Sequence, residues 1–408
     1  LLVFRALLHV DGGSPTAIRI AAAVIAALVV LATMALTARL AGRIPAILAG
    51  LLLATLGASP LIESFTLSGE LLASLPAVLA LLAVSGYLRG ENWIWLVACG
   101  LLTGIAVMTK QSGFDAGLAA VLFLLASRRR AGIVPAGVIV GSAVVPVALG
   151  VVLSASPSDW WYAMVTYRGA GDSIVSGSLS GRLGQFWDTA PAMLQALAAL
   201  GALAAVGWRR SPLLAKLWLG AAALCVIGGG NFHEHYYLQV APPLALLGGI
   251  GLAEVVRRRS PFVAGVAAGL ALWGLYATVP LWFDSPREQA AQVFPRDGHL
   301  QVDGEIVDYV RSNSRPGDRI FVMWAAANVY YLSDRDPAVP YMWFRNIQTI
   351  PGALDQVRDA LAASDRPVLV VVEQPPKSID PSGRTADLLN SLYEQVAVVG
   401  GVPIYKER

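Results

Sequence analysis

From residue 15 to residue 283 the chain is a succession of apolar runs broken by short charged punctuation. A helix needs about 20 predominantly apolar residues to cross a bilayer. The pattern predicts ten such helices, at 15–40, 44–62, 70–88, 93–108, 113–126, 131–153, 190–208, 212–229, 236–256 and 261–283. The fifth is short, and is read as tilted, broken or re-entrant. Composition supports a membrane protein: 56% of residues are hydrophobic and 14% are charged, against about 25% charged in soluble domains. A soluble enzyme, a disordered chain and a disulfide-rich secreted module are all excluded. The two cysteines, Cys99 and Cys225, lie in apolar runs and read as small buried residues. The chain begins at Leu1, and its opening apolar run is too short to span and has no signal-peptide pattern. The expectation is a fragment or a processed form.

Charge placement predicts an orientation. If every run crosses, Arg39, Arg43, Arg89, Arg128, Arg129, Arg130, Arg209, Arg210, Lys216, Arg257, Arg258 and Arg259 fall on one side. Only Arg5, Arg19, Lys110, Arg168 and Arg182 fall on the other, together with most acidic residues of this region. Lysine and arginine are enriched in cytoplasmic loops. The arginine clusters are therefore expected in the cytoplasm of a plasma (inner) membrane, with the C-terminal segment outside.

After residue 283 the composition becomes that of a soluble domain, with 13 basic and 17 acidic residues in 284–408. Helical patterns at 304–312, 354–362 and 386–393 alternate with strands at 318–324 and 367–373 and with a strand pair or bent strand at 396–405. The expected organisation is a helical membrane domain, 1–283, and a small extracytoplasmic α/β domain, 284–408. No glycine-rich nucleotide-binding motif is present.

Ionisable groups at membrane depth are costly and mark candidate sites. Four places on the expected outer face stand out. Residues 228–239 (GGGNFHEHYYLQ) join three glycines to a polar knot that opens a helix. A helix N-terminus suits an anion such as phosphate, and His233 and His235 add donors. Glu234 lies between them, and Tyr236 marks the headgroup level; an interfacial loop is the plainer alternative. His-x-His also supplies two zinc ligands, without a clear third and fourth. Pro242 and Pro243 are expected to distort the helix start. In residues 66–70 (TLSGE), Glu70 opens a helix with Ser68 as its cap; substrate hydroxyls or a cation are its alternative role. In residues 108–114, Lys110 and Gln111 sit at a helix break, as a phosphate-binding pair or with Lys110 snorkelling. The loop 154–189 carries Arg168 in a glycine-rich stretch that suits a phosphate clamp.

Residues 14–20 (SPTAIRI), 68–70 (SGE), 104–111 (GIAVMTKQ) and 235–243 (HYYLQVAPP), with 319–322 (RIFV) and 330–335 (YYLSDR), carry a resemblance. The chain resembles the GT-C class of integral-membrane glycosyltransferases, particularly bacterial relatives of dolichyl-phosphate-mannose–protein mannosyltransferases and aminoarabinose transferases (family 39). The resemblance implies a sugar donor on a polyprenyl phosphate and a hexosyl- or pentosyl transfer to a lipid, polysaccharide or protein acceptor at the outer face. Donor-phosphate contacts are then expected from Lys110, Gln111, His233, His235, Tyr236 and Arg168, and substrate contacts from Glu70 and Glu234. The family's catalytic acidic residue lies in a first outer loop, which would precede Leu1 here, so no catalytic base is expected among these residues. No cofactor and no metal ligand set is required, and a divalent cation stays open. No nucleic-acid partner is expected. A transporter or flippase of lipid-linked sugars and a non-catalytic assembly partner are the competing classes.

Overall fold

A computed structural model describes residues 2–11, 14–57, 59–154, 156–167, 169, 178–258, 261–295, 297–324 and 326–408. By packing, the chain divides into two compact units: Leu1–Trp160 with Ser176–Trp282, and Trp161–Val175 with Phe283–Arg408.

The first unit is helical. Its helices are α1 (Leu2–Asp11), α2 (Pro15–Ala41), α3 (Arg43–Thr55), α4 (Gly69–Gly90), α5 (Ile94–Thr109), α6 (Asp115–Arg128), α7 (Ile133–Val152), α8 (Pro157–Trp161, its last residue in the other unit), α9 (Leu179–Gly207), α10 (Leu213–Gly229), α11 (Ala241–Arg258) and α12 (Pro261–Thr278). Each of the ten expected spans meets a helix. By length and composition, however, six helical stretches are able to cross a membrane: Pro15–Ala41, Gly69–Gly90, Asp115–Val152, Leu179–Arg210, Glu234–Arg258 and Pro261–Trp282. Arg43–Thr55, Ile94–Thr109 and Leu213–Gly229 are apolar but shorter. Six stretches thus meet the length and composition of a span, against the ten crossings expected.

The differences have local causes. The expected 44–62 run stops being α-helical at Thr55. Ser59 then caps a short 3₁₀ turn, Pro60–Ile62, by accepting from the Leu61 N–H. The Asp115–Val152 stretch is two helices, α6 and α7, broken by a 3₁₀ turn at Arg129–Gly132, and the two pack together. Helix α9 starts at Leu179, eleven residues before the expected start at 190. Its cap is Ser178, whose hydroxyl accepts from the Gly181 N–H at 3.1 Å. The polar letters of GRLGQFWDT hide this turn from an apolar scan. Pro242 and Pro243 sit at the first positions of α11, where a missing N–H costs least. They set the helix start rather than distort it, and the turn before them, Glu234–Val240, is 3₁₀.

Glycines let the helix backbones touch, as is usual in membrane bundles. A Cβ at Gly104 of α5 would lie 2.3 Å from the Ala143 carbonyl oxygen of α7. A Cβ at Gly251 of α11 would lie 1.8 Å from the Leu203 carbonyl oxygen of α9. Around these contacts sits one apolar core, with Leu36, Leu81, Leu96, Leu200 and Trp218 buried.

The second unit is a five-stranded sheet in the order β2-β1-β3-β5-β4. The strands are β1 (Arg319–Met323), β2 (Asp336–Pro337), β3 (Leu369–Val372), β4 (Tyr393–Val399) and β5 (Val402–Glu407). Strands β1, β2 and β3 run parallel, and β5 returns antiparallel to β3. The expected strand pair at 396–405 is a hairpin joined by Gly400-Gly401, both at positive φ. Alternate residues of β1 and β3 serve opposite faces. Ile320, Val322, Leu369 and Val371 pack beneath Ile306 and Val310 of α14 (Asp303–Asn313, after α13, Pro286–Val293). Phe321, Met323, Val370 and Val372 pack against Val357 of α17 (Ala353–Ala362) and Leu389 of α18 (Arg384–Leu392). The sequence pattern missed β2, α15 (Ala327–Ser333) and α16 (Phe344–Thr349), which are short. Tyr167 joins this unit: its hydroxyl donates to Asn346 Oδ1 at 3.0 Å.

Just past β3, both carboxylate oxygens of Glu373 are buried without a hydrogen-bond partner. Burial, and then the nearby Asp303, push its pKa up to about 8. The folded state therefore holds a proton on Glu373 that the unfolded chain loses at ordinary carboxylate pH. Stability must fall as pH rises from about 4.5 to about 8.

Two predictions follow from this packing. Gly251→Ala should lower the melting temperature of the full chain by several degrees, while Gly220→Ala, whose Cβ meets nothing within 4 Å, should leave it unchanged or raise it. Glu373→Gln should raise the melting temperature at pH 8 and change it little at pH 4.5, measured by thermal scans across that range.

Candidate functional site

The first unit brings three separated segments together at one end. Ser68 caps α4 by accepting from the Leu71 N–H at 3.2 Å, which fixes Glu70 in the first turn. Lys110 ends α5 and leaves the helix in an extended conformation. Helix α10 ends at Gly230, with φ +68, and the chain turns through Asn231 and Phe232 to the histidines.

Their side chains meet around Glu70, which is 4% exposed. Lys110 Nζ lies 2.5 Å from Glu70 Oε1 and 4.1 Å from the centroid of the Tyr236 ring. His235 Nε2 lies 3.9 Å from the same carboxylate oxygen, and His235 Nδ1 lies 3.2 Å from Glu63 Oε2. A buried carboxylate needs a partner to offset its lost hydration, and here a lysine and a histidine share it. Lys110 is thus turned inward and does not simply snorkel to water. The His233 and His235 rings stack at 5.6 Å, and Tyr236 meets both edge-on. Burial, and then the neighbouring His235, hold the His233 imidazole below its ordinary pKa. The Arg182 guanidinium of α9 rests on the Gly230 turn, where an added Cβ would lie 2.8 Å from its Nη1.

Beneath this layer lies Asp115, buried at the start of α6. Trp218 Nε1 donates to its Oδ2 at 2.8 Å, and Gln239 Nε2 donates to its Oδ1 at 3.1 Å. Gln239 Nε2 also donates to the Ser112 carbonyl at 2.6 Å. Gln239 therefore ties the histidine turn to the Lys110 loop. On the far side of that turn, the Tyr237 and Thr189 hydroxyls are 2.8 Å apart, tying it to α9.

A small polar pocket results, lined by Glu70, Ser74, Lys110, Asp115, Trp218 and Gln239. An apolar groove, open on one side, lies next to it, bounded by Val29 and Val30 of α2, Leu53 of α3, Leu71 of α4 and Leu238. Ser74 and Pro242 line both spaces.

Of the residues singled out in the sequence, Glu70, Lys110, His233, His235 and Tyr236 come together. Of these only Glu70 and Lys110 line the polar pocket; His233, His235 and Tyr236, like Gln111 in the Lys110 loop and Glu234 between the histidines, do not. Arg168 lies outside the described residues. Sequence reading missed Glu63, Asp115, Arg182, Trp218 and Gln239 as site residues. Asp115 had a usable signal, an acidic residue opening a helix at membrane depth. Glu63 had none, because its part depends on a left-handed turn at that residue, φ +52. Among the described residues, no group of three or more histidine, cysteine or acidic side chains is placed to hold a metal ion.

Residues 2–155 match the family model described as dolichyl-phosphate-mannose-protein mannosyltransferase, which is less than half of the chain. Among curated proteins, none matches the sequence significantly. Among solved structures the fold is similar to that of ArnT from Cupriavidus metallidurans. The form bound to undecaprenyl phosphate superposes with a TM-score of 0.59, at 16% identity, over 99% of this chain and 86% of that one. The apo form gives 0.58 at the same identity and coverage. At that identity the likeness shows a shared fold.

The ion pair makes a stability prediction. Lys110→Gln leaves the buried Glu70 carboxylate with His235 alone and should lower the melting temperature. Glu70→Gln combined with Lys110→Gln should recover most of the loss in a double-mutant cycle, because the uncompensated charge goes too.

Proposed function

We propose that the protein is a GT-C glycosyltransferase that moves a sugar from a polyprenyl-phosphate donor to a lipid, polysaccharide or protein acceptor on the outer face of the membrane. The observation that carries this reading is the cluster of Lys110 and His235 around Glu70 set beside the apolar groove that reaches Ser74 and Pro242. A polyprenyl phosphate is an anion on a long apolar tail, and cationic side chains beside an apolar groove match both parts. The family match over 2–155 and the fold shared with ArnT, one of whose structures holds undecaprenyl phosphate, support the same donor class.

In this reading, transfer breaks the bond between the sugar's anomeric carbon and the phosphate oxygen and forms a bond to an acceptor oxygen. Phosphate leaves without a strong general acid. The negative charge it takes is stabilised by Lys110, His235 and Arg182 and by the N–H groups opening the Glu234–Val240 turn. Lys110 is held by Glu70 until the phosphate competes for it. The acceptor's proton goes to a carboxylate base. Glu70 is bound to Lys110 and Glu63 to His235, so the base is assigned to neither. The arginine clusters then face the cytoplasm and the pocket faces outward. The same rule of charge placement supports ten crossings.

The experiment is release of polyprenyl phosphate from a labelled lipid-linked sugar by the full-length protein, with Lys110→Gln and His235→Ala beside it. Both variants should lose donor affinity or turnover by at least about tenfold, the scale of one charge-assisted contact, and His235→Ala should lose more in turnover or donor affinity than in melting temperature. Full activity in both variants would remove the cluster from the site. No release with any polyprenyl donor would overturn the transferase reading.

A further inference from the structure

At the opposite end of the first unit, α11 finishes in a second charged cluster. Glu254, 3% exposed, accepts from Arg257 Nε at 3.0 Å and Nη2 at 2.6 Å, and also from Arg258 Nε. Arg210, in the turn between α9 and α10, brings its Nε to 3.1 Å from Glu254 Oε2. One guanidinium would suffice to compensate this carboxylate. Three guanidinium groups around a single carboxylate leave a net charge of +2. Their side chains are 55–63% exposed. The exposed Trp208 lies at the same turn, with Lys216 Nζ 5.4 Å from its ring centroid, a pairing suited to headgroup depth.

An open apolar groove adjoins this cluster. It is lined by Leu52 of α3 and Leu56 just after it, Leu203 of α9, Val255 of α11 and α12 residues from Pro261 to Ala271. Ten residues of helix make it about 15 Å long. Val255 and Val256, which line one end, directly precede Arg257 and Arg258. Among the described side chains of α12 only Thr278, at its last position, is buried, so the stretch from Pro261 to Ala271 stands beside this space rather than filling it. An elongated apolar slot with a cationic rim at one end has the chemistry of a single amphiphilic anion.

We propose that this groove and its rim bind one anionic phospholipid, with the phosphate among Arg210, Arg257 and Arg258 and an acyl chain along α12. The proposal rests on the membrane reading alone and is independent of sugar transfer. The lipid sits at the arginine end of the bundle, away from Glu70 and His235. It fills the gap between α12 and the rest of the unit, and it completes the charge balance that Glu254 leaves unfinished.

The test uses the full chain in detergent, with dioleoyl phosphatidylglycerol and dioleoyl phosphatidylcholine added in equal amounts and retained lipid read by native mass spectrometry. The phosphatidylglycerol complex should dominate. Arg257→Gln with Arg258→Gln should cut that preference by about fivefold for each charge removed. Ala267→Trp, which fills the groove and leaves the rim intact, should reduce retention of both lipids. Equal retention of the two lipids by the unaltered protein would overturn the proposal, and so would an unchanged preference in the double variant. If the double variant does not fold, Ala267→Trp decides: undiminished phosphatidylglycerol retention overturns the proposal, and its loss supports it. Displacement of phosphatidylglycerol by undecaprenyl phosphate from the unaltered protein, but not from Ala267→Trp, would assign the groove to a prenyl phosphate and overturn the phospholipid.

Discussion

A carboxylate removed from water has to be compensated, and the compensation of Glu70 organises one end of the bundle. Lys110 and His235 come from segments 40 and 165 residues away in sequence. Each is delivered by a helix terminus, the end of α5 and the turn before α11. The second layer, Asp115 with Trp218 and Gln239, locks those two termini to each other. Only with both layers present does a polar pocket exist beside an apolar groove. The site is thus a consequence of charge burial, and the same charges are what an anionic headgroup would meet.

The opposite end is built on the same principle with the sign reversed. There Glu254 is the buried minority charge and arginines are in excess. Two helices independently connect the two ends. Helix α4 carries Glu70 in its first turn and Arg89 in its last, about 30 Å apart. Helix α11 follows the His235 turn and ends on Arg257 and Arg258. Arg39 and Arg128 gather near the end of α4, at Ser85, Tyr87 and Glu91. The charges of the first unit thus gather in two layers, at the two ends of α4 and α11, as a bilayer would require.

The legible part of this molecule was the part written in local pattern. Apolar runs and their punctuation located ten helices, and the unbroken apolar run in residues 367–373 located a central strand. The histidine turn, Lys110 and Glu70 were legible because charged residues are conspicuous in apolar surroundings. What was not legible depends on three-dimensional closure. Ser59-Pro60 shortens α3, and a serine cap extends α9 through a polar stretch, neither of which an apolar count can see. Glu63 joins the cluster only through its backbone conformation. Gln239 and Trp218 look like ordinary loop and core residues until Asp115 is placed between them.

The central claim is that the Glu70–Lys110–His235 end and the arginine end lie on opposite sides of a membrane. Impermeant thiol labelling tests it directly. Phe65 and Arg209 are exposed at the two ends, and Cys99 and Cys225 are buried. In intact cells, Phe65→Cys should label without permeabilisation, and Arg209→Cys only after it. Labelling of both from the same compartment would contradict the account.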